Sequence, residues 1–321
     1  MAKATLTNDT AQLTPQTTHG GPVLEFDFPE FRVGIAEYVE GPTGCTVFHF
    51  PYGAVTAVDV RGGSPKAYGN YDFNHAICLA GGSVYGLEAA AGVTAELFAM
   101  HDYSTAPEQI AHVSSAICYD LPARDNAIYP DKALGRAALR AARPNVFPLG
   151  AHGAGCSAMV GKWSTAYQEE LAGQGGAFRQ VGPTKIAVFT VVNAVGAIVD
   201  RRGKVVRGYL DPATGTRHHL MEDIEQRFAD STGAASPPQN TTLTVLVTNQ
   251  QLAPKLLTQI ARQVHDSMCR GIQPFHTTYD GDVLYAITTD EVQNPALDDV
   301  ALGTVASEVA WDAILSSVQG P

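Results

Sequence analysis

Charge is scarce in this sequence. Asp, Glu, Lys and Arg make up 17% of its 321 residues, against about a quarter in an average globular domain. The shortage is sharper on the basic side, with 21 Lys and Arg against 32 Asp and Glu, a net charge of −11. Nucleic-acid binding needs a basic face, and no run of Lys or Arg supplies one. No basic run resembles a membrane anchor either. No stretch reaches the roughly 18 apolar residues of a membrane-spanning helix. The opening MAKATLTNDTAQLTPQTTHGGP lacks the apolar centre of a signal peptide, and its polar texture predicts a flexible arm over residues 1–22. These absences predict a protein that binds neither nucleic acid nor membrane and works in the cytoplasm.

Cysteine patterning is equally thin. Cys45, Cys78, Cys118, Cys156 and Cys269 are odd in number and contain no CxxC pair. This suits free thiols in a reducing compartment. Ten histidines contain no HExxH, and the adjacent His218-His219 cannot both face one ion from a regular element, so no metal is expected. The spacing Gly81–Gly86 is that of a P-loop, but Leu87-Glu88 follow where Lys and Ser or Thr belong. No cofactor is expected. The sequon Asn240-Thr241-Thr242 has no secretory context to act in.

What is present is apolar order, 45% of the chain. That is enough for one large core or two modest ones. Three β-rich runs between Val33 and Val60 read as a meander punctuated by Gly and Pro. An Ala-rich helix follows Gly81-Gly82, SSAICYDLP reads as a strand, and Pro130-Asp131 open a second helix. TKIAVFTVVNAVGAIVDRRGKVVRG is hydrophobic enough to be buried on both faces, with a hairpin at DRRGK. Residues 209–240 form a connector with a short helix near Glu222–Phe228. TLTVLVTN then reads as a strand, followed by a helix presenting Leu256, Leu257, Ile260, Val264 and Met268. The strand DVLYAITT and a helix presenting Leu302, Val305 and Val309 complete the chain. The alternation predicts α/β or α+β, with strands for two sheets. Scarce charge favours a subunit with surface buried in an oligomer.

Five places carry chemistry, each with a plain alternative. YDGD sets Asp280 and Asp282 two residues apart before a strand, as a pair holding a cation, lysine or amine, or as a polar turn. Lys162, after the glycine turn of GAGCSAMVGKW, is a solvated lysine or a buried one of depressed pKa. Asn193 lies in the most apolar run and must find partners, as a structural hub or as an oxyanion donor. Cys156 and Ser157 sit in the same glycine-rich stretch as Lys162. SPPQNTTLTV runs from a proline-stiffened loop into a strand. Cutting before Thr241 would give a hydroxyl nucleophile carrying its own α-amine as base, near pKa 7.7–8.0. Ordinary turn chemistry before a strand accounts for the same residues.

The blocks GPTGCTVFHFPYGA, GNYDFNHAICLAGGSVYGLEAAAGV, YPDKALGRAAL, GAIVDRRGKVVRG, NTTLTVLVTN, RQVHDSMCRGIQPFHT, DGDVLYAITTDE and ALGTVASEVAWDAIL together resemble the nylon-oligomer hydrolases. These 6-aminohexanoate-oligomer endohydrolases are relatives of the D-aminopeptidase/β-aminopeptidase group with an N-terminal nucleophile. The resemblance spans about Leu24 to Leu315. It implies a single four-layer αββα sandwich, cut by itself into an α chain, 1–240, and a β chain, 241–321. By the same resemblance Thr241 is the nucleophile, Lys162 lowers its amine pKa, and Asn193 donates to the oxyanion. Asp280 and Asp282 orient the Thr241 amine and Lys162 and assist the cut at Asn240–Thr241. Tyr119 lines the substrate cleft, and the αβ units form tetramers. The implied activity is endo hydrolysis of amides in 6-aminohexanoate oligomers and polymer. The peptidase branch mostly uses serine, so threonine favours the nylon-hydrolase branch. Three rivals remain at this point: an acyltransferase or β-/D-aminopeptidase of the same fold, a non-catalytic oligomeric binding protein, and a thiol enzyme using Cys156.

Overall fold

Apolar residues on both faces of a strand require cover on both sides, and that requirement builds this fold. The computed structural model describes residues 6–65, 67–230 and 240–319. Its main elements in chain order are β1 (Arg32–Tyr38), β2 (Thr43–Val60), β3 (Ala67–Tyr68), β4 (Phe73–Ala80), α1 (Glu88–Met100), β5 (Val113–Ile117) and α2 (Lys132–Arg140). There follow β6 (Gly173–Val181), β7 (Thr184–Asn193), β8 (Ala197–Val199), β9 (Val205–Arg207) and α3 (Leu220–Asp230). β10 (Thr241–Gln250), α4 (Pro254–Ser267), β11 (Val283–Val292) and α5 (Asp299–Ser316) complete it.

One hydrogen-bonded path runs β6-β7-β10-β11-β2-β4-β5-β3, with β1 also on β2. The 18-residue β2 belongs to both halves of this path. Its first part pairs with β1 and β4, its last part with β11, and the register shifts between His49 and Ala54. The expected meander is thus two strands rather than three. Pro51-Tyr52-Gly53 is absorbed as a bulge. Gly53 has φ +71, and a Cβ there would meet the Phe73 ring at 2.2 Å.

Folding at β2 sets two sheets face to face, with alternate side chains going to different cores. From β7, Ala187, Phe189 and Val191 enter the central core with Leu243, Val245, Val283 and Tyr285, against Phe48, Ile77 and Leu79 of the other sheet. The alternate Ile186, Val188 and Val192 face α4 and α5, meeting Leu257, Ile260, Val264, Leu302 and Val309. On the far side Cys45, Val47, Ala76 and Cys78 face α1 and α2. The result is the four-layer αββα sandwich.

Several boundaries differ from expectation. The long apolar run is not continuous strand: β7 stops at Asn193, and the β8–β9 hairpin lies in a separate small sheet. Met268 follows α4 in a 3-10 turn, and Val305 is only partly buried. The described part of the expected flexible arm is tied down. Asn8 donates to the Tyr129 carbonyl and Asp131, both at 3.1 Å, and Gln16 exchanges backbone bonds of 2.9 Å with Glu37. Its polarity reflects these contacts rather than freedom. Pro237-Pro238 and the rest of 231–239 lie outside the described residues. No helix among those described is long and apolar enough to cross a membrane.

Phe189 meets the rings of Phe26, Phe31, Phe48 and Phe147 in the central core. Phe189→Ala is expected to cost about 3–5 kcal/mol, read as a lowered urea midpoint at unchanged slope.

Candidate active site

Three strands bring the singled-out residues to one end of one sheet. β10 starts at Thr241, and its antiparallel partner β7 ends at Asn193, the residue directly opposite. On the other side β10 runs parallel to β11, with Leu243 beside Val283, so YDGD immediately precedes that strand. Asn240 forms an isolated parallel bridge with Asp280. The Asn240 N–H donates to the Tyr279 carbonyl at 3.0 Å, and the Gly281 N–H donates to the Asn240 carbonyl at 2.9 Å.

Thr241 is buried, and its Oγ1 donates to the Asn240 carbonyl oxygen at 2.5 Å. The hydroxyl therefore lies beside the carbonyl that a cut before Thr241 would attack. That carbonyl is already polarised by a second donor, the Gly281 amide.

The buried reading holds for Lys162, which is 8% exposed. Its backbone N–H donates to the Val195 carbonyl at 3.0 Å, and its Nζ donates to Asn193 Oδ1 at 2.8 Å. Burial pulls its pKa down to about 8, opposed chiefly by the negative charge of Glu169. Asn193 is a hub. Its Oδ1 also accepts from the Met159 N–H at 3.0 Å, and its Nδ2 donates to the Tyr119 carbonyl at 3.1 Å. An amide nitrogen has two protons, so one remains for a developing oxyanion. Lys162, Asn193, Tyr119, Ser157, Met159 and Glu169 share a cleft of about 60 Å³.

Asp280 and Asp282 are both fully buried. Asp280 Oδ1 accepts from the Val195 N–H at 3.2 Å, and Oδ2 from the Thr277 N–H and hydroxyl at 2.9 and 2.6 Å. Burial, then the neighbouring Asp282 charge, raise its pKa to about 6. Asp282 Oδ1 accepts from the Thr242 N–H at 2.6 Å, while Oδ2 lies 2.8 Å from His276 Nδ1. Burial raises its pKa too. These hydrogen bonds go to the backbone of Val195, Thr242 and Thr277, to the Thr277 hydroxyl and to His276, none of them to Lys162, and of the two carboxylates it is Asp280 whose charge reaches Lys162. Glu169, His276 and Gly281 were not singled out from the sequence. Their roles arise from proximity in the fold, and nothing local to them signals it. Cys156 is buried, and desolvation lifts its thiol well above the ordinary value, which opposes its use as a nucleophile.

A model of peptidase family S58 matches residues 26–319. The 6-aminohexanoate-oligomer endohydrolases of an Agromyces species and of Paenarthrobacter ureafaciens are each 50% identical over 322 residues, spanning 97% of this chain and 90% of their own. Among solved structures, the L-aminopeptidase D-Ala-esterase/amidase of Ochrobactrum anthropi, described as a variant of the Ntn hydrolase fold, matches with a TM-score of 0.62. It is 15% identical, with 94% of this chain and 87% of that one covered.

Lys162 generates a stability prediction whose sign follows from its lowered pKa. Between about pH 8 and the ordinary 10.5 the folded chain holds fewer protons than the unfolded one. Wild-type stability from this group therefore rises with pH through that window. A methionine at this place does not titrate. Relative to Thr241→Ala alone, Thr241→Ala/Lys162→Met is expected to gain most below pH 8. The gain shrinks by roughly 3 kcal/mol toward pH 10.5, measured by urea denaturation across that range.

Proposed function

Since the chain belongs to peptidase family S58, we propose that it is a self-cleaving amidase with Thr241 as nucleophile, acting on 6-aminohexanoate oligomers in endo fashion. The observation that carries this reading is the placement of Thr241 Oγ1 and the Gly281 N–H on one carbonyl, that of Asn240. In the first reaction Oγ1 attacks the Asn240 carbonyl carbon and the C–N bond to Thr241 breaks. The nitrogen takes up a proton, and an ester joins Asn240 to the threonine side chain. Water then hydrolyses the ester, leaving the Asn240 carboxylate and a free Thr241 amine.

In the second reaction the freed amine takes the hydroxyl proton while Oγ1 attacks a substrate amide. Lys162, a buried cation below about pH 8, lowers the amine pKa by charge repulsion. The spare Asn193 amide proton stabilises the tetrahedral oxyanion, a contact worth about 2.7–4 kcal/mol in comparable sites. The substrate amine departs with the proton, and water releases the acyl group. Tyr119 borders the cleft in which the substrate chain lies. The names of the half-identical relatives support the substrate class. We extend the reading to cytoplasmic tetramers of αβ units, supported by five free cysteines and a charge-poor chain.

Intact mass spectrometry tests the reading. Wild type is expected as two chains, 1–240 and 241–321, and Thr241→Ala as one uncut chain without activity on 6-aminohexanoate oligomers. A wild-type chain that stays whole yet hydrolyses them would sink the mechanism. Asn193→Ala is expected to lower kcat by about 10²–10³ in whatever fraction is cut.

A further inference from the structure

A second cluster of chemistry-bearing side chains lies on β1 and the loop leading to Lys162. Glu37, on β1, accepts through Oε1 from the Gly153 N–H at 2.7 Å. The same oxygen lies 3.1 Å from His19 Nδ1 and 3.2 Å from His152 Nδ1. All three candidate donor atoms fall within 4.8 Å of one another. His152 Nε2 is 3.0 Å from the Gly20 carbonyl oxygen. Both His152 ring nitrogens thus face acceptors, whereas a neutral imidazole has only one N–H to give.

A metal ion resolves this. With Nε2–H donating to the Gly20 carbonyl, the Nδ1 lone pair is free to coordinate, which is the usual outer-shell pattern of a metal-bound histidine. Bonds of about 2.0–2.1 Å to nitrogen and carboxylate oxygen place tetrahedral ligand atoms about 3.3 Å apart. Two of the spacings are already 3.1 and 3.2 Å. Two imidazoles and a carboxylate form a donor set suited to zinc-class ions, with a fourth position left to water. We propose that His19, Glu37 and His152 bind one divalent transition-metal ion of the zinc class. The site shares no residue with the one around Thr241 and does not depend on the amidase reading. Its three ligands are far apart in sequence, which is why no motif announced them and no metal was expected.

The ion would join the N-terminal segment, β1 and the loop from Gly150 to Gly155. Seven residues after His152 that loop reaches Met159, whose N–H holds Asn193, and three further on it reaches Lys162. The alternative occupant of the cluster is a proton, giving an imidazolium between Glu37 and Gly20.

The test uses the full chain, dialysed against a chelator and titrated with zinc chloride by calorimetry, with bound zinc counted by mass spectrometry. One zinc per chain is expected, together with a raised denaturation midpoint and visible absorption on cobalt substitution. His19→Ala is expected to weaken zinc binding at least ~tenfold. It changes a residue outside the three large cores, so its zinc-free midpoint checks that the fold survives. His152→Ala is the second variant. No zinc uptake above background, or uptake unchanged in both variants, would overturn the proposal and leave the proton-bridged cluster.

Discussion

The site depends on the parallel pairing of β10 with β11 in the middle of a sheet. Parallel neighbours cannot be joined by a tight turn, and here α4 makes the crossover. That connection brings the starts of both strands to the same end. The antiparallel β7 arrives at this end with its last residue, Asn193, opposite Thr241. Side chains on both faces of β10 are buried in different cores. A slip of one residue would exchange those faces and is therefore strongly opposed. Register alone thus holds Thr241 between Asn193 on one side and the Asp280–Asp282 turn on the other.

Around that register the protein keeps polar groups where water is scarce. Lys162, Asn193, Asp280 and Asp282 are all buried. Desolvation is the leading influence on the lysine and on both carboxylates, and in each case it opposes the charged form. Three large apolar cores offset this cost; Asn193, Asp280 and Asp282 each find backbone partners, and the Lys162 ammonium is held by Asn193 Oδ1. Donors from Val195, Thr242 and Thr277 turn the carboxylates into struts for the strand mouths. The same burial that costs stability lowers the lysine pKa to about 8, the property on which its proposed role rests.

The sequence carried this design unevenly. Strands with both faces buried stood out as uninterrupted apolar runs, and the amphipathic α4 by its spacing. β2 read as two strands because Pro51 and Gly53 punctuate it, although a bulge accommodates both within one. β6, GQGGAFRQV, passed unread because its glycines carry no strand signal; they give room for close contact with α5 and the 150–155 loop. Locally Thr241 reads two ways, as the ordinary start of a strand or as a nucleophile freed by a cut before it, and the local residues do not choose between them. The resemblance of many blocks, with Lys162, Asn193 and Asp280 among them, is what favours the second. Glu169, Gly281 and the His19–Glu37–His152 group were illegible because they are facts of proximity between distant segments.

The uncut chain also bears on how one apparatus could serve two reactions. Before cleavage the Thr241 nitrogen is an amide and cannot act as a base, so the first proton must go elsewhere. Asp280 and Asp282 are the carboxylates at the strand mouth. Burial raises both, Asp280 to about 6, closer to the range useful for proton transfer at neutral pH. In the proposed mechanism the amine freed by cleavage takes over as base, and the carboxylates keep their hydrogen bonds to Thr242, Thr277 and His276. In that mechanism the donor to the Asn240 carbonyl, Gly281, acts in the first reaction. The spare proton of Asn193, fixed by its other contacts beside Lys162 and the cleft, is assigned there to the second. On this reading the bond broken in the first step turns the threonine from a substrate into a catalyst, with no movement required of the strands that carry it.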